Sequence, residues 1–178
     1  MKYSAVSALA DSLKTEYKTN DPTAICEGKG INIMYQPMGN HQSAIKGFVI
    51  GVDGVFAIVV NSDLPENIQK VIIAHELCHA LMHCEGRVAK YSDTAVFDDV
   101  SEKEREANLF AAQLLIDDCD VINQDEDITF FQLAARLCVP AELLDFKFIL
   151  LKEKYPDLPS SPINSHNNFL RSIKTENE

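Results

Sequence analysis

Tryptophan is absent from the 178 residues, and none of the five cysteines is spaced as a CxxC pair. An odd number of scattered thiols (Cys26, Cys78, Cys84, Cys119, Cys138) argues against a disulfide-stapled secreted fold and against a cysteine zinc knuckle. No stretch approaches the roughly 18 consecutive apolar residues of a membrane span. The opening MKYSAVSALADSLKTEYK has neither a long apolar core nor a small-residue cleavage site, so no secretory signal is expected there. These absences point to a soluble, cytoplasmic protein with reduced thiols and no membrane contact. Basic residues are also scarce: 16 Lys and Arg face 27 Asp and Glu, a net charge of -11. The portions before and after residue 119 are both acidic. Phosphate backbones are held by clustered Lys and Arg, so direct nucleic-acid binding is not expected.

What the chain does have is apolar patterning, with hydrophobic residues at 46%, enough for one continuous core. Val6, Leu9, Ala10, Leu13 and Tyr17 recur at helical spacing over residues 3–19. Thr19-Asn20-Asp21-Pro22 stops that helix and starts a short one running to Glu27. INIMY (31–35) alternates like a strand, and GFVIGVDGVFAIVVN (47–61) reads as a hairpin turning at Asp53-Gly54. Ser62 or Asp63, followed by Pro65, opens a helix that runs to about Gly86. A polar loop over 86–100 precedes a helix from about Ser101 to Ile116. An acidic connection (117–127) leads to two further helices, ITFFQLAARLCV and PAELLDFKFILLKEKY, and the tail from Asp157 is rich in Pro, Ser and Asn. Residues 1–120 are expected to form the main domain, 121–156 a helical hairpin packed on it, and 157–178 a flexible tail.

The chemistry concentrates in IIAHELCHALMHCEG (72–86), which holds three of the five histidines. His75 and His79 lie four apart and project from one helix face about a turn apart. Two imidazoles so placed can ligate one Zn2+, and Glu76, one residue round the helix, can reach a water beside the ion without ligating it. The surrounding VIIAHELCHALM is apolar nearly all round, and burying imidazoles and a carboxylate there without partners would cost several kcal/mol. His83 continues the row, but on one straight helix it sits too far along the axis to share the ion. It is read as a supporting or packing residue behind the ligands.

A zinc hydrolase site needs a third ligand and an open fourth position. SEKEREANLFAAQLLI (101–116) offers Glu102, Glu104 and Glu106. On a helical wheel, Ala107, Phe110, Ala111, Leu114 and Leu115 set the apolar arc, with Glu104 at its edge and Glu106 more than a quarter-turn away. Asn108, one turn beyond Glu104, can hydrogen-bond a metal-bound histidine. Glu104 is the favoured ligand and Asn108 its support. Two alternatives stay open: Glu104 as the closing residue of a capping box with Ser101, and Glu106 as the ligand. Asp98 and Asp99 are weaker rivals.

At this point the sequence resembles the ImmA/IrrE family of metallopeptidases. The resemblance rests on YKTNDPTAICEGKGINI, VVNSDLP, HELCHALMH and EREANLFAAQLLI, in that order. It implies an α+β, zincin-like domain, mostly helical, with a small three-stranded antiparallel sheet. It implies His75, His79 and Glu104 as metal ligands and Glu76 as general base, in an endopeptidase that cleaves a cognate helix-turn-helix repressor. Two departures are Cys78, where many members have Gly, and the absence of Pro after Leu114-Leu115. Cys78 raises the hypothesis of a redox-sensitive or thiol-seeking-metal site.

Zn2+ is the default for such a donor set, although Mn2+ or Fe2+ can occupy it. Tyr91 is a candidate oxyanion stabiliser, and the 47–60 hairpin a candidate edge for an extended substrate. The competing reading is a metal-stabilised anti-repressor that sequesters its partner without cutting it. LAARLCVPAELL has the cadence of a DNA-reading helical pair but lacks the charge for that task.

Overall fold

In the computed structural model, residues 3–41, 43–52, 54–84, 98–123, 128–164 and 170 are described, the first four residues of the 98–123 segment by backbone alone. They form seven α-helices and a three-stranded sheet. The first helix, α1 (Ser4–Tyr17), buries Val6, Ala10 and Leu13, a stripe at 3–4-residue spacing. Next comes α2 (Pro22–Gly28), where the Asp21 side chain accepts the Thr23 N–H and Pro22 occupies the first turn, whose amides have no partner within the helix.

The sheet follows as β1 (Asn32–Gln36), β2 (Gly47–Val52) and β3 (Val55–Asn61), in spatial order β1-β3-β2. β2 and β3 form the expected hairpin, with Val52 opposite Val55 and Gly54 at φ +82°, a conformation that favours glycine. The sheet is mixed, however, which corrects the antiparallel expectation: β1 pairs parallel to β3, from Asn32 opposite Ala57 to Gln36 opposite Asn61. The reason lies in β3. Its Ile58, Val59, Val60 and Asn61 are all buried, as suits the central strand of a sheet. The ten residues 37–46 carry the chain past β3 to its far side, so β1 and β3 point the same way.

Asn61 fixes that connection. Its amide donates to the carbonyls of Gly39 (2.7 Å) and Ile45 (2.9 Å), and its Oδ1 accepts the N–H groups of Met38 (3.1 Å) and Asp63 (3.0 Å). The side chain is fully buried, so these four bonds replace all its contact with water.

Pro65 precedes α3 (Glu66–Cys78), and neither Ser62 nor Asp63 caps it. After Cys78 the helix widens into a π turn, His79–His83, closed by the Cys84 N–H on the His79 carbonyl at 3.0 Å. The next helix, α4 (Asp98–Leu115), begins three residues before the expected start and packs on α1, α3 and the later α7. Ser101 therefore lies inside α4, and the capping-box reading of Glu104 is withdrawn. The buried arc of α4 is also wider than the wheel suggested, since Leu109, Ala112 and Gln113 join it.

The acidic connection contains a short helix, α5 (Asp118–Ile122), and its acids pin neighbouring helices. Asp117 pairs with Lys14 of α1 at 2.6 Å, and Asp118 with Lys147 at 2.6 Å and Lys154 at 2.8 Å. A left-handed Cys138 (φ 54°) joins α6 (Phe130–Arg136) to α7 (Ala141–Lys154), and Lys147 and Lys154 lie on α7. Lys147 is wholly buried, with Gln113 Oε1 2.8 Å away as a second partner. Phe146, Leu143 and Leu150 are buried as well, so α7 packs this face into the core, against α4 among other elements. Beyond residue 157, Leu158 packs against the core and Leu170 is buried. Among the described residues no helix is long and apolar enough to cross a membrane.

Replacing Asn61 with Ala strands two carbonyls and two amides in the interior, at ~1–3 kcal/mol for each group that water cannot reach. Chemical denaturation of Asn61→Ala should show a loss of at least about 2 kcal/mol. A loss below about 0.5 kcal/mol would mean that the connection holds itself.

Candidate metal centre

The approach of α3 and α4 builds the site. His75 sits in the last turn of α3 and His79 at the first position of the π turn, four residues on, so both rings face α4. Their Nε2 atoms lie 3.1 Å apart. Glu104, near the middle of α4, reaches both, with Oε2 3.2 Å from Nε2 of His75 and Oε1 3.3 Å from Nε2 of His79. One donor atom from each of the three residues falls within 4.8 Å of the others. Two imidazoles and a carboxylate, converging from two rigid elements, form the nitrogen–oxygen set that suits a divalent transition-metal ion with a coordination position left for solvent or substrate. The residues present therefore fit the ion that the sequence implied.

The electrostatics of the three groups oppose one another. Burial disfavours charge on His75, but the hydrogen bond and negative charge of Glu104, with Glu76 adjacent, outweigh it and raise the pKa. At His79 burial prevails, helped by the neighbouring His75 and His83 rings, and lowers the pKa to about 4. Burial would raise the pKa of Glu104, yet the hydrogen bonds and charges of the two histidines hold its carboxyl far below the usual carboxylate range. A metal needs ionised carboxylate and neutral imidazole, so its binding would displace the proton that Glu104 favours on His75.

The surrounding side chains are ordered in pairs. Asn108, fully buried one turn along α4, places Oδ1 2.9 Å from Nδ1 of His75. His83 lies behind His79, Nδ1 to Nδ1 at 2.8 Å. Glu106 meets Nε2 of His83 at 2.9 Å and so lies outside the three-donor cluster in which it was the alternative ligand. Sequence reasoning missed this pairing. The available signal was a carboxylate two residues from Glu104 on the same helix, facing a motif with one histidine more than a metal set requires.

Glu76 is buried at 8% exposure beside β2. A Cβ added to Gly47 would lie 2.3 Å from Cγ2 of Ile72 and 3.8 Å from Cγ of Glu76. Glycine here permits the start of β2 to lie directly on the metal helix. Among the described residues β2 pairs only with β3, at the edge of the sheet, and its first residue lies against the helix that carries Glu76.

Cys78 is fully buried, its Sγ 3.8 Å from Sδ of Met82. Burial, reinforced by the charges of Glu106, Glu104 and Glu76, pushes its thiol well above the ordinary range. A protonated, inaccessible thiol is a poor nucleophile and a poor ligand, which speaks against the redox-sensitive reading. Tyr91 lies outside the described residues, as do the side chains of Asp98 and Asp99.

Comparison with known proteins identifies the family. The IrrE N-terminal-like domain, a peptidase family, matches residues 26–148, a span that holds the sheet, both metal-site helices and most of α7. "Uncharacterized immunity region protein 2" of Bacillus phage phi105 is 31% identical over 147 residues, covering 82% of this chain and 90% of the relative. No solved structure matches the chain. The matched domain and the phage relative, each covering well over half of the sequence, show that the chain belongs to the ImmA/IrrE family of metallopeptidases.

Proposed function

We propose that the protein is a metal-dependent, site-specific endopeptidase of zincin-like architecture that cuts a regulatory protein, a helix-turn-helix repressor. The observation that carries the reading is the convergence of His75, His79 and Glu104 with Glu76 retained beside them. A protein that merely bound a partner would need no carboxylate at position 76. The name of the phage relative places that protein in an immunity region. We extend a role in such regulation to this chain, and with it the repressor as substrate.

His75, His79 and Glu104 would hold the ion, with Zn2+ the first choice for this donor set. Once bound, it supplies a Lewis acid that brings the pKa of water towards ~7 and polarises the scissile carbonyl. The chain's own residues do the rest. Asn108 holds the His75 ring through Nδ1. Glu76 takes a proton from the attacking water as the oxygen bonds to the carbonyl carbon. It then passes that proton to the departing amine nitrogen as the C–N bond breaks. The edge of β2 can pair with an extended substrate backbone and hold it in register beside Glu76.

Glu76→Gln removes the proton acceptor while leaving the three ligands in place. Co-expressed with a helix-turn-helix repressor that the wild type cleaves, this variant should retain one metal per chain and lose cleavage by roughly 100-fold or more. Wild-type cleavage by Glu76→Gln would remove Glu76 from the chemistry. Full regulatory activity without cleavage would favour the sequestering anti-repressor.

Gly47→Val tests the strand edge. Its side chain displaces β2 from α3, and a misplacement on the order of 1 Å can cost about 100-fold in turnover. Metal content should remain unchanged while kcat/KM falls by at least about tenfold. Unaltered kcat/KM would exclude β2 as the substrate guide.

A further inference from the structure

The π turn after the second histidine places one more imidazole and one more carboxylate in line with the site than three ligands require. A ring nitrogen that faces a metal must present its lone pair, and Nε2 of both His75 and His79 face the donor cluster. Each neutral ring then carries its proton on Nδ1. At His75 that N–H donates to Oδ1 of Asn108, 2.9 Å away. At His79 it meets Nδ1 of His83 at 2.8 Å, which must therefore accept. Acceptance at Nδ1 puts the proton of His83 on Nε2, and the group 2.9 Å from Nε2 is the Glu106 carboxylate, which can only accept when ionised. One proton order satisfies these three contacts together. Both imidazole ligands are then held from behind, but differently: His75 by a neutral amide, His79 by a ring that ends on an anion.

The helix geometry brings the two rings within reach of that contact. A π turn closes on the fifth residue rather than the fourth, which changes the azimuth of a residue four places on. His83 sits at that place relative to His79, and the two rings stand with centroids 4.9 Å apart and planes at 58°. The His83 side chain is 5% exposed, whereas Glu106 keeps 32% exposure, so the anion stays partly solvated while its charge acts on a buried ring. An ionised group at the end of such a line orients the ligand and increases its basicity.

We propose that His83 and Glu106 are positioning residues that form a hydrogen-bonded relay, Glu106–His83–His79, fixing the tautomer and orientation of His79 and strengthening it as a metal ligand. The relay rests on the assignment of His75, His79 and Glu104 as ligands, and it gives the third histidine of the motif a task that the cleavage chemistry leaves unassigned. A packing role for His83 would be met equally well by an apolar side chain of similar size.

The test titrates the full-length metal-free protein with Zn2+ against a chromophoric chelator, for wild type, Glu104→Ala, His83→Leu, Glu106→Ala, Glu106→Gln and the double variant His83→Leu/Glu106→Ala. His83→Leu and Glu106→Ala should each weaken Zn2+ binding by about 10–100-fold. Glu106→Gln, which keeps an acceptor but loses the charge, should fall between wild type and Glu106→Ala. The double variant should bind no more weakly than His83→Leu alone, because both changes cut one line. In the Zn2+-loaded wild type, 15N imidazole spectra should show His83 protonated at Nε2 and bare at Nδ1. Affinities of His83→Leu and Glu106→Ala within twofold of wild type, or a proton on Nδ1 of His83, would overturn the relay. Loss of Zn2+ in Glu104→Ala with none in His83→Leu sinks the relay alone, whereas wild-type affinity in Glu104→Ala sinks the ligand assignment and the relay together.

Discussion

Two imidazoles from one helix meet a carboxylate from the next inside an apolar helix pair, and this apposition constrains the rest of the structure. Two nitrogens 3.1 Å apart and an anion within 3.3 Å of both are costly to bury unless something draws the lone pairs together. The packing that holds them there is ordinary. Ala74 and Leu77 on α3, and Ala107, Phe110 and Ala111 on α4, are all fully buried, with the small residues permitting close approach. Beyond the site α4 is anchored at its far end, where Lys14, Asp117, Asp118 and Lys147 tie α1, α5 and α7 around Gln113. That network fixes the lie of the helix that carries Glu104.

The sheet matters to the site chiefly through one strand. Asn61 holds the connection that delivers the chain to β2, and the missing side chain at Gly47 lets β2 rest against α3 beside Glu76. The proposed substrate edge, general base and ligand set thereby share one corner of the molecule. The strand edge belongs to β2, Glu76 and His75 to α3, His79 to the π turn and Glu104 to α4.

Much of this was legible in the sequence. Spacing alone put His75, Glu76 and His79 on one helix, because a four-residue interval has a single geometric meaning on an α-helix. Glu104 and Asn108 followed from the edge of an apolar arc. The hairpin at Gly54 was legible because a left-handed turn restricts residue choice. What escaped detection was non-local or carried no residue signature. The parallel pairing of β1 depends on where a ten-residue connection lands, which a single strand's pattern does not encode. The π turn uses the residues of an α-helix. α4 starts early at Asp98, among polar residues whose lack of periodicity read as loop. The burial of Lys147 on α7 is intelligible only with Asp118 and Gln113 in view. The Glu106–His83 pair joins two elements through a turn that periodicity did not reveal.

The central claim is a shared ligand set, and X-ray absorption at the zinc edge of the loaded protein addresses it directly. The account predicts a first shell of nitrogen and oxygen at about 2.0–2.1 Å, with multiple scattering from two imidazoles. A sulfur contribution at about 2.3 Å, from Cys78 or Cys84, or a shell with fewer than two imidazoles, would contradict it.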